Sequence, residues 1–452
     1  MGARIASTRP LAEALGVARN TIALALKPLV AERVLDVRDR SGFYVAEGPL
    51  AHLGRRPPEE PATPGPDWER RLSLRPSLQR NIAKPVDWQS FRYPFLYGQS
   101  DPGLFPTADW RECARAALSV MEIRGWAQDL VDGDYAPLIE QLRVNILPRR
   151  GVWPGPDEIM LTLGAQHALY LAASLLGGPG RRVAFEDPGY PDARNILAAL
   201  GAEISPMPVD ACGLDPARLP ADCQLVYVTP SGQCPTGVAL SPARQLDLLA
   251  RAERDDLIVI EDDYGAELIG DVHLPKALKS HDRSGRVVYI GSLSKILTPG
   301  LRLGYVVAPA PLIRELRALR RLMLRHPPTN NQHITSLFIS LGYADAQFRR
   351  YSQALGQRAR VLTKALDARL PGWSVSCASP TSSAWVTAPA HIDTRRLADK
   401  AAAAGVLIEP GDIFFADPEG PKNHLRLGFA SIAANRIDKG VQLLAEAAAG
   451  LA

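Results

Sequence analysis

Long apolar runs are missing from this chain, and so is any patterned use of cysteine. No stretch approaches the roughly 20 consecutive apolar residues that a membrane-spanning helix needs. The first residues also lack the apolar core of a secretory signal. The five cysteines (Cys113, Cys212, Cys223, Cys234 and Cys377) are odd in number and show no CxxC pairing. That argues against a disulfide framework and against a metal site, and makes the reducing cytoplasm the default location. An excess of one charge is absent too: 52 Lys and Arg against 48 Asp and Glu leave +4 over 452 residues. So small a surplus gives no general affinity for nucleic acid, and any DNA contact has to be local.

What is present divides by composition into three regions, with no internal repeat. Residues 1–48 carry short helical patterns and then a hairpin pattern. Residues 49–79 include "GRRPPEEPATPGPDWERR", too rich in proline and charge to build a core, and are expected to form an extended linker. Residues 80–452 alternate helical patterns with strand-like runs such as "RRVAFEDPG", "CQLVYVTPS", "DLIVIEDDY" and "GRVVYIGSLS". Strands alternating with helices predict an α/β domain with a mostly parallel sheet.

In the first region, Ser7 is placed to cap a helix with Leu11, Ala14 and Leu15 on its apolar face. Gly16 supplies a turn, and "VARNTIALAL" opens a second helix. In a helix-turn-helix the first residues of that second helix meet DNA, here Ala18, Arg19, Asn20 and Thr21. "VLDVRDRSGFYVA" follows as strand, turn and strand, with Arg38 and Arg40 at the tip, where basic side chains would touch phosphates. Pro28 is expected to kink or end the second helix, because it removes one backbone donor.

In the third region, Lys295 follows a buried-type strand and is flanked by Ser292, Ser294 and Arg302. That is the composition of a Schiff-base site for pyridoxal 5′-phosphate, with hydroxyls and a guanidinium for the phosphate. A lone lysine near serines is more often a solvated one, so the reading depends on its companions. "LTLGAQHALYLAAS" is strand, turn and helix, and aims the N–H groups around Gly164, Ala165 and Gln166 at an anion. "EDPGYPDAR" offers Tyr190 to stack on a ring, or is a plain turn. "IVIEDDYGAE" puts Asp262 at a strand end, where one carboxylate can pair with a protonated pyridine nitrogen and Tyr264 can reach the ring hydroxyl. Asp263, on the opposite side of the strand, is the alternative. Arg426, in the apolar strand "NHLRLGFA", needs an anionic partner: either a ligand carboxylate or an internal carboxylate.

Taken together and in order, "STRPLAEALGVARNT", "FLYGQSDPGLFP", "LGAQHAL", "EDPGYP", "EDDY", "SLSKILTPGLRLGY" and "LRLGF" resemble the MocR-type subfamily of GntR regulators. These join a winged helix-turn-helix to a fold-type I aminotransferase-like domain that ends in a smaller α+β subdomain. The resemblance implies that pyridoxal phosphate is the cofactor and Lys295 its lysine. It implies that Asp262 and Tyr264 bind the ring, Tyr190 stacks on it, and Arg426 clamps a carboxylate. It further implies a homodimer that reads two DNA half-sites and responds to a small amino compound by exchange at Lys295. Two departures stand out. The loop equivalent to the enzymes' Asn-Pro-Thr-Gly reads Gln233-Cys234-Pro235-Thr236-Gly237, with Gly232 where regulators usually carry histidine. The helix that normally precedes the Ser-Thr-Arg stretch is missing, so either the reading frame starts further upstream or DNA binding is impaired. An active aminotransferase with a vestigial DNA-binding remnant is the main alternative, and a degenerate cofactor-binding protein a third.

Overall fold

A computed structural model describes residues 3–38, 42–46, 65–265, 276–294, 297–377 and 382–451. Two compact units divide the chain, residues 1–73 and 74–452.

The first unit runs β1 (Arg4–Ile5), α1 (Thr8–Leu15), α2 (Arg19–Ala31), β2 (Leu35–Arg38) and β3 (Gly42–Val45). The strands pair antiparallel in the order β1-β3-β2. Gly16, at φ +63°, ends α1 and returns its N–H to the carbonyls of Ala12 and Glu13. Ala12, Ile22, Leu26 and Leu35 form a small core, backed by Ile5, Leu11, Val30, Phe43 and Val45. The inward face of α1 therefore lies along Leu11 and Ala12. Ala14 and Leu15, expected to face inward, are exposed, because Ile22 and Leu26 cluster with the neighbouring edge of the helix. Ser7 occupies the N-cap position, but its hydroxyl makes no capping bond. Pro28 does not end α2, which continues to Ala31. The carbonyl it leaves without an intrahelical donor belongs to Leu24, which is 69% exposed, so water can donate there instead. Within the stretch expected as a linker, Asp67 caps a one-turn helix at Trp68–Arg71.

In the second unit the strands are β4 (Tyr93–Pro94), β5 (Ile159–Thr162), β6 (Arg182–Asp187), β7 (Glu203–Asp210), β8 (Gly213–Leu214), β9 (Leu225–Val228), β10 (Ile258–Asp263), β11 (Val287–Ser292) and β12 (Gly304–Val307). Beyond them come β13 (Ser374–Ser376), β14 (Ser383–Thr387), β15 (Val406–Leu407), β16 (Glu409–Pro410) and β17 (His424–Gly428). The large sheet has the order β5-β12-β11-β10-β9-β6-β7-β8. Its central pairs, β11-β10-β9-β6-β7, are parallel, and β12 runs against both β11 and β5. Helices cover both faces, as a parallel sheet requires. Leu225 and Tyr227 pack toward α3 (Ala165–Leu176), α4 (Pro191–Ala199) and α6 (Ala310–Met323). The alternating Val226 and Val228 pack with Leu248 and Ala252 of α5 (Pro242–Arg254). A second, antiparallel sheet, β13-β14-β17-β16, buries one face against α7 (Tyr343–Arg369), α8 (Thr394–Ala403) and α9 (Ala434–Ala449). This is the smaller α+β part, while β15 pairs with β4 apart from both sheets. Among the described residues, no single helix is long and apolar enough to cross a membrane.

Candidate cofactor and effector site

The strand directions decide what can meet at one edge of the large sheet. β5, β6, β9, β10 and β11 all end there, and β12, being antiparallel, begins there. Ser292, Gly304 and Thr162 sit side by side in register across β11, β12 and β5. Arg302, just before β12, is thereby brought beside the turn that follows β5. That turn starts α3 with Gly164 at φ +79°. The first-turn N–H groups of α3 have no intrahelical acceptor and point out of the helix start. Arg302 donates from Nη2 to the Leu163 carbonyl at 2.9 Å, so its guanidinium lies against the same turn.

A cavity of about 170 Å³ opens at this edge. Its walls include Ala165, Gln166, Tyr190, Asp262, Tyr264, Ser292, Ser294 and Arg302, with Tyr97, Gly98, Leu169, Cys234 and Pro299. Eight of the nine residues that sequence reasoning expected around the cofactor thus line one space, and Gly164 adjoins it. Lys295 and Arg40 lie outside the described residues. Ala18, Arg19, Asn20, Thr21 and Arg38 are all exposed in the first unit. There Arg19 Nε donates to Thr8 Oγ1 at 3.1 Å, and the Arg38 guanidinium lies 4.4 Å from the Tyr44 ring centre.

At the anionic end, Asp262 Oδ2 accepts a hydrogen bond of 2.8 Å from the Tyr227 hydroxyl. Burial raises the pKa of that phenol well above the ordinary range, and the Asp262 charge raises it further, so it stays a neutral donor. Asp263, one residue on, faces the other way: its Oδ2 takes Arg150 Nε at 2.9 Å and the Tyr289 hydroxyl at 2.7 Å. Arg150 also donates to Ser231 Oγ at 2.6 Å, which ties this second acid to the loop bearing Cys234. The Tyr264 hydroxyl donates to the Gly232 carbonyl at 3.0 Å, and that of Tyr190 to Asp192 at 3.1 Å. Ser294 Oγ donates to the Leu303 carbonyl and accepts from the Leu303 N–H, so it also pins the segment leading into β12.

Arg426 is almost wholly buried. The sequence left two partners open, and an internal carboxylate is there: Nε donates to Glu409 Oε2 at 2.8 Å, across the β16–β17 register. Nη1 reaches only Cys234 Sγ, at 3.7 Å, and Nη2 has no hydrogen-bond partner among the described residues. The rings of Tyr97 and Phe414 lie 4.2 Å and 4.6 Å from the guanidinium carbon. Burial works against its charge, but the Glu409 carboxylate outweighs that and keeps the guanidinium protonated. Arg426 does not line the cavity directly. It abuts two residues that do, Tyr97 and Cys234.

Two family models match this sequence. One describes bacterial regulatory proteins of the gntR family and covers residues 1–45; the other, aminotransferase class I and II, covers residues 143–444. The HTH-type transcriptional regulator TauR of Rhodobacter capsulatus is 45% identical, over 99% of this chain and 92% of its own length. The probable rhizopine catabolism regulatory protein MocR of Rhizobium meliloti is 32% identical, over 82% of this chain and 74% of its own. The chain belongs to the MocR-type GntR regulators. In structure, this MocR-type chain is similar to the kynurenine aminotransferase of Pyrococcus horikoshii, solved in complex with PMP. That likeness has a TM-score of 0.78 at 27% identity and covers 85% of this chain and 98% of the enzyme.

A pyridoxal phosphate needs anion donors at one end, a carboxylate at the ring nitrogen and an aromatic wall, and this MocR-type site has all three. Its fit is tight at the phosphate end. A Cβ on Gly164 would stand 3.1–3.3 Å from the Arg302 guanidinium, and one on Gly304 would stand 2.6 Å from the Gly164 carbonyl carbon. Only glycines let the strand and the helix start close up into this cradle. The loop that departs from the enzymes is fixed by Gln233. Its Nε2 donates to Glu186 Oε2, the Pro188 carbonyl and the Cys234 carbonyl, while its Oε1 accepts from both donors of Thr236. The amide is fully engaged by its own loop and by the end of β6, and the side chain that this loop offers to the cavity is the Cys234 thiol. Sequence reasoning assigned no role to Tyr97, Tyr227, Glu409 or Lys84. "FLYGQSDPGLFP" pointed at Tyr97, but nothing local pointed at the rest.

Proposed function

We propose that this chain is a pyridoxal phosphate-dependent, DNA-binding transcriptional regulator that senses a small amino compound and works as a cytoplasmic homodimer. The observation that carries the reading is the convergence of the Asp262, Tyr190, Tyr264, Ser292, Ser294 and Arg302 side chains on one cavity, in a chain of this family. When bound, the cofactor supplies an electrophilic aldehyde carbon that condenses with primary amines. Arg302, Ser292, Ser294 and the N–H groups after Gly164 hold the phosphate. Asp262, held by Tyr227, keeps a proton on the ring nitrogen. Tyr190 packs on the ring, Tyr264 serves its hydroxyl, and Lys295 is the lysine to which the cofactor attaches.

Arg426 holds the acid group of the effector, if it carries one. Effector binding favours one of two domain arrangements and thereby changes how the exposed Ala18–Thr21 segment and Arg38 meet two DNA half-sites. The exposed Leu118, Val120, Met121 and Leu322 are apolar side chains that a second copy would cover. The test is Lys295→Ala: the variant should lose the visible absorbance of the bound cofactor, and with it the amine-dependent shift of its operator complex. Unchanged absorbance would remove Lys295 from this role. Sustained turnover by the unmodified protein with an amino donor and a keto acid, with no amine effect on DNA binding, would support the aminotransferase reading instead.

A further inference from the structure

Arg426 and Glu409 are not alone in their buried corner. Lys84 Nζ lies 3.6 Å from Glu409 Oε1, the carboxylate oxygen that Arg426 Nε does not use, and also donates to the Tyr97 carbonyl. Burial lowers the pKa of this lysine, as expected for a cation taken out of water, while Glu409 pulls it back up. The next acid along the chain, Asp412, is occupied elsewhere by Arg395 at 2.8 Å and by Arg80 at 3.7 Å. Arg426, Lys84 and Glu409 are therefore two cations on one directly paired anion, with Asp192 a further anion acting on Lys84 from outside the trio. A buried donor edge is open on Arg426, whose Nη2 has no hydrogen-bond partner among the described residues. Arg426 is the buried cation of the trio, and its unpaired donor is costly until an anion arrives.

We propose that Lys84, Glu409 and Arg426 form an acid subsite that counts charge, with Glu409 cancelling one of the two cations so that the effector's acid group is a monoanion. This rests on the reading of Arg426 as the effector's clamp and goes beyond it: the clamp sets the place of the acid group, and Glu409 sets its charge. A carboxylate or sulfonate balances the corner. A dianionic phosphonate overshoots it and meets Glu409 as a like charge. Lys84 is not assigned a contact with the effector; it acts through its charge, which Glu409 offsets.

The test uses the cofactor-loaded full chain and titration calorimetry with three probes of one length at mildly alkaline pH. Aminopropylsulfonate and aminopropylphosphonate share a tetrahedral head and differ by one charge, and aminopropanol has none. The unmodified protein should prefer the sulfonate. Glu409→Gln should move the phosphonate-to-sulfonate affinity ratio toward the phosphonate by about tenfold or more, the scale of one charge interaction in a partly buried site. Lys84→Met should weaken both acids relative to aminopropanol, and the double variant should restore the starting ratio. An unchanged ratio in Glu409→Gln, or an equal loss for both acids, overturns the proposal. If Glu409→Gln fails to fold, equal affinity of Lys84→Met for the acids relative to aminopropanol overturns it as well. Arg426→Gln separates the two readings: if it leaves both acids bound as before relative to aminopropanol, the clamp itself is wrong.

Discussion

Replacing Gly164 by alanine should damage the phosphate cradle more than the rest of the fold. Gly164 sits at φ +79° and ψ 172°, a region that residues with a side chain hardly enter. Forcing alanine there costs about 1–3 kcal/mol of backbone strain. The new methyl carbon would also stand 3.1 Å from Arg302 Nη2 and 3.2 Å from its Cζ. The guanidinium can make room only by giving up or stretching the bond from Nη2 to the Leu163 carbonyl at 2.9 Å. If relief comes from shifting Arg302 off the position proposed for the phosphate, it removes a charge-assisted hydrogen bond worth about 1.5–3 kcal/mol. That corresponds to a loss of roughly tenfold to a hundredfold in cofactor affinity. Fluorescence or absorbance titration of the cofactor-free protein with pyridoxal phosphate measures the second effect, and urea unfolding without cofactor measures the first. If Gly164→Ala binds the cofactor as tightly as the unmodified protein, the turn after β5 is not the phosphate site, and the placement of Arg302 falls with it.

Other consequences can be checked separately. Arg426→Lys keeps a cation for Glu409 but loses the planar fork, so carboxylate-bearing effectors should bind about tenfold more weakly while aminopropanol is unaffected; equal affinities would contradict the clamp. Arg19→Ala and Arg38→Ala should each lower the slope of log affinity for the operator against log salt by about 1, if each side chain neutralises one phosphate. A slope equal to that of the unmodified protein would remove that residue from the DNA interface. Glu186 is buried, and burial pushes its carboxyl up to about 7 despite hydrogen bonds from Thr229 and Gln233. A raised acid stabilises the fold fully below its unfolded value near 4.5 and loses that contribution as pH rises through about 7. Glu186→Gln should therefore abolish a pH-dependent loss of up to about 3 kcal/mol in the cofactor-free protein across that window. Parallel denaturation curves for the two proteins across that pH range would refute the assignment.

Much of this site could be read from the sequence because the end proposed for the phosphate is built locally. Gly164–Gln166 is one turn, and Ser292, Ser294 and Arg302 fall within one short segment. Strand alternation put Asp262 and Asp263 on opposite sides without choosing between them, and the structure has one on the cavity and the other on Arg150. What could not be read depends on pairings far apart in the chain. Tyr227 reaches Asp262 only because β9 and β10 are neighbours in register. Glu409 meets Arg426 only because β16 pairs with β17. Lys84 reaches the same corner from the other end of the domain's sequence. The inward face of α1 was misplaced for a related reason: eight residues with several apolar candidates leave the face to be chosen by Ile22 and Leu26 of the partner helix.

These long-range pairings also bear on why such a site would suit sensing. A catalyst must stabilise a transition state more than its ground states, whereas a sensor needs only a ligand that binds two conformations unequally. The parts to which binding is assigned in the proposed function are all present at or beside this cavity: the glycine cradle, the carboxylate held by Tyr227, and the arginine with an open edge. The part that the resemblance sets apart from the enzymes is the loop in which Gln233 spends its amide on Glu186, Pro188, Cys234 and Thr236 and leaves a thiol facing the cavity. A thiol is a far weaker hydrogen-bonding partner than an amide, so this loop holds the chamber's shape while offering less to a reacting ring. The same loop is bound to Arg150 through Ser231 and touches Arg426 through Cys234. An effector's acid group arriving at Arg426 would therefore act on a segment already tied to the strand that carries Asp262, and that link gives effector binding a physical route to the body of the sheet.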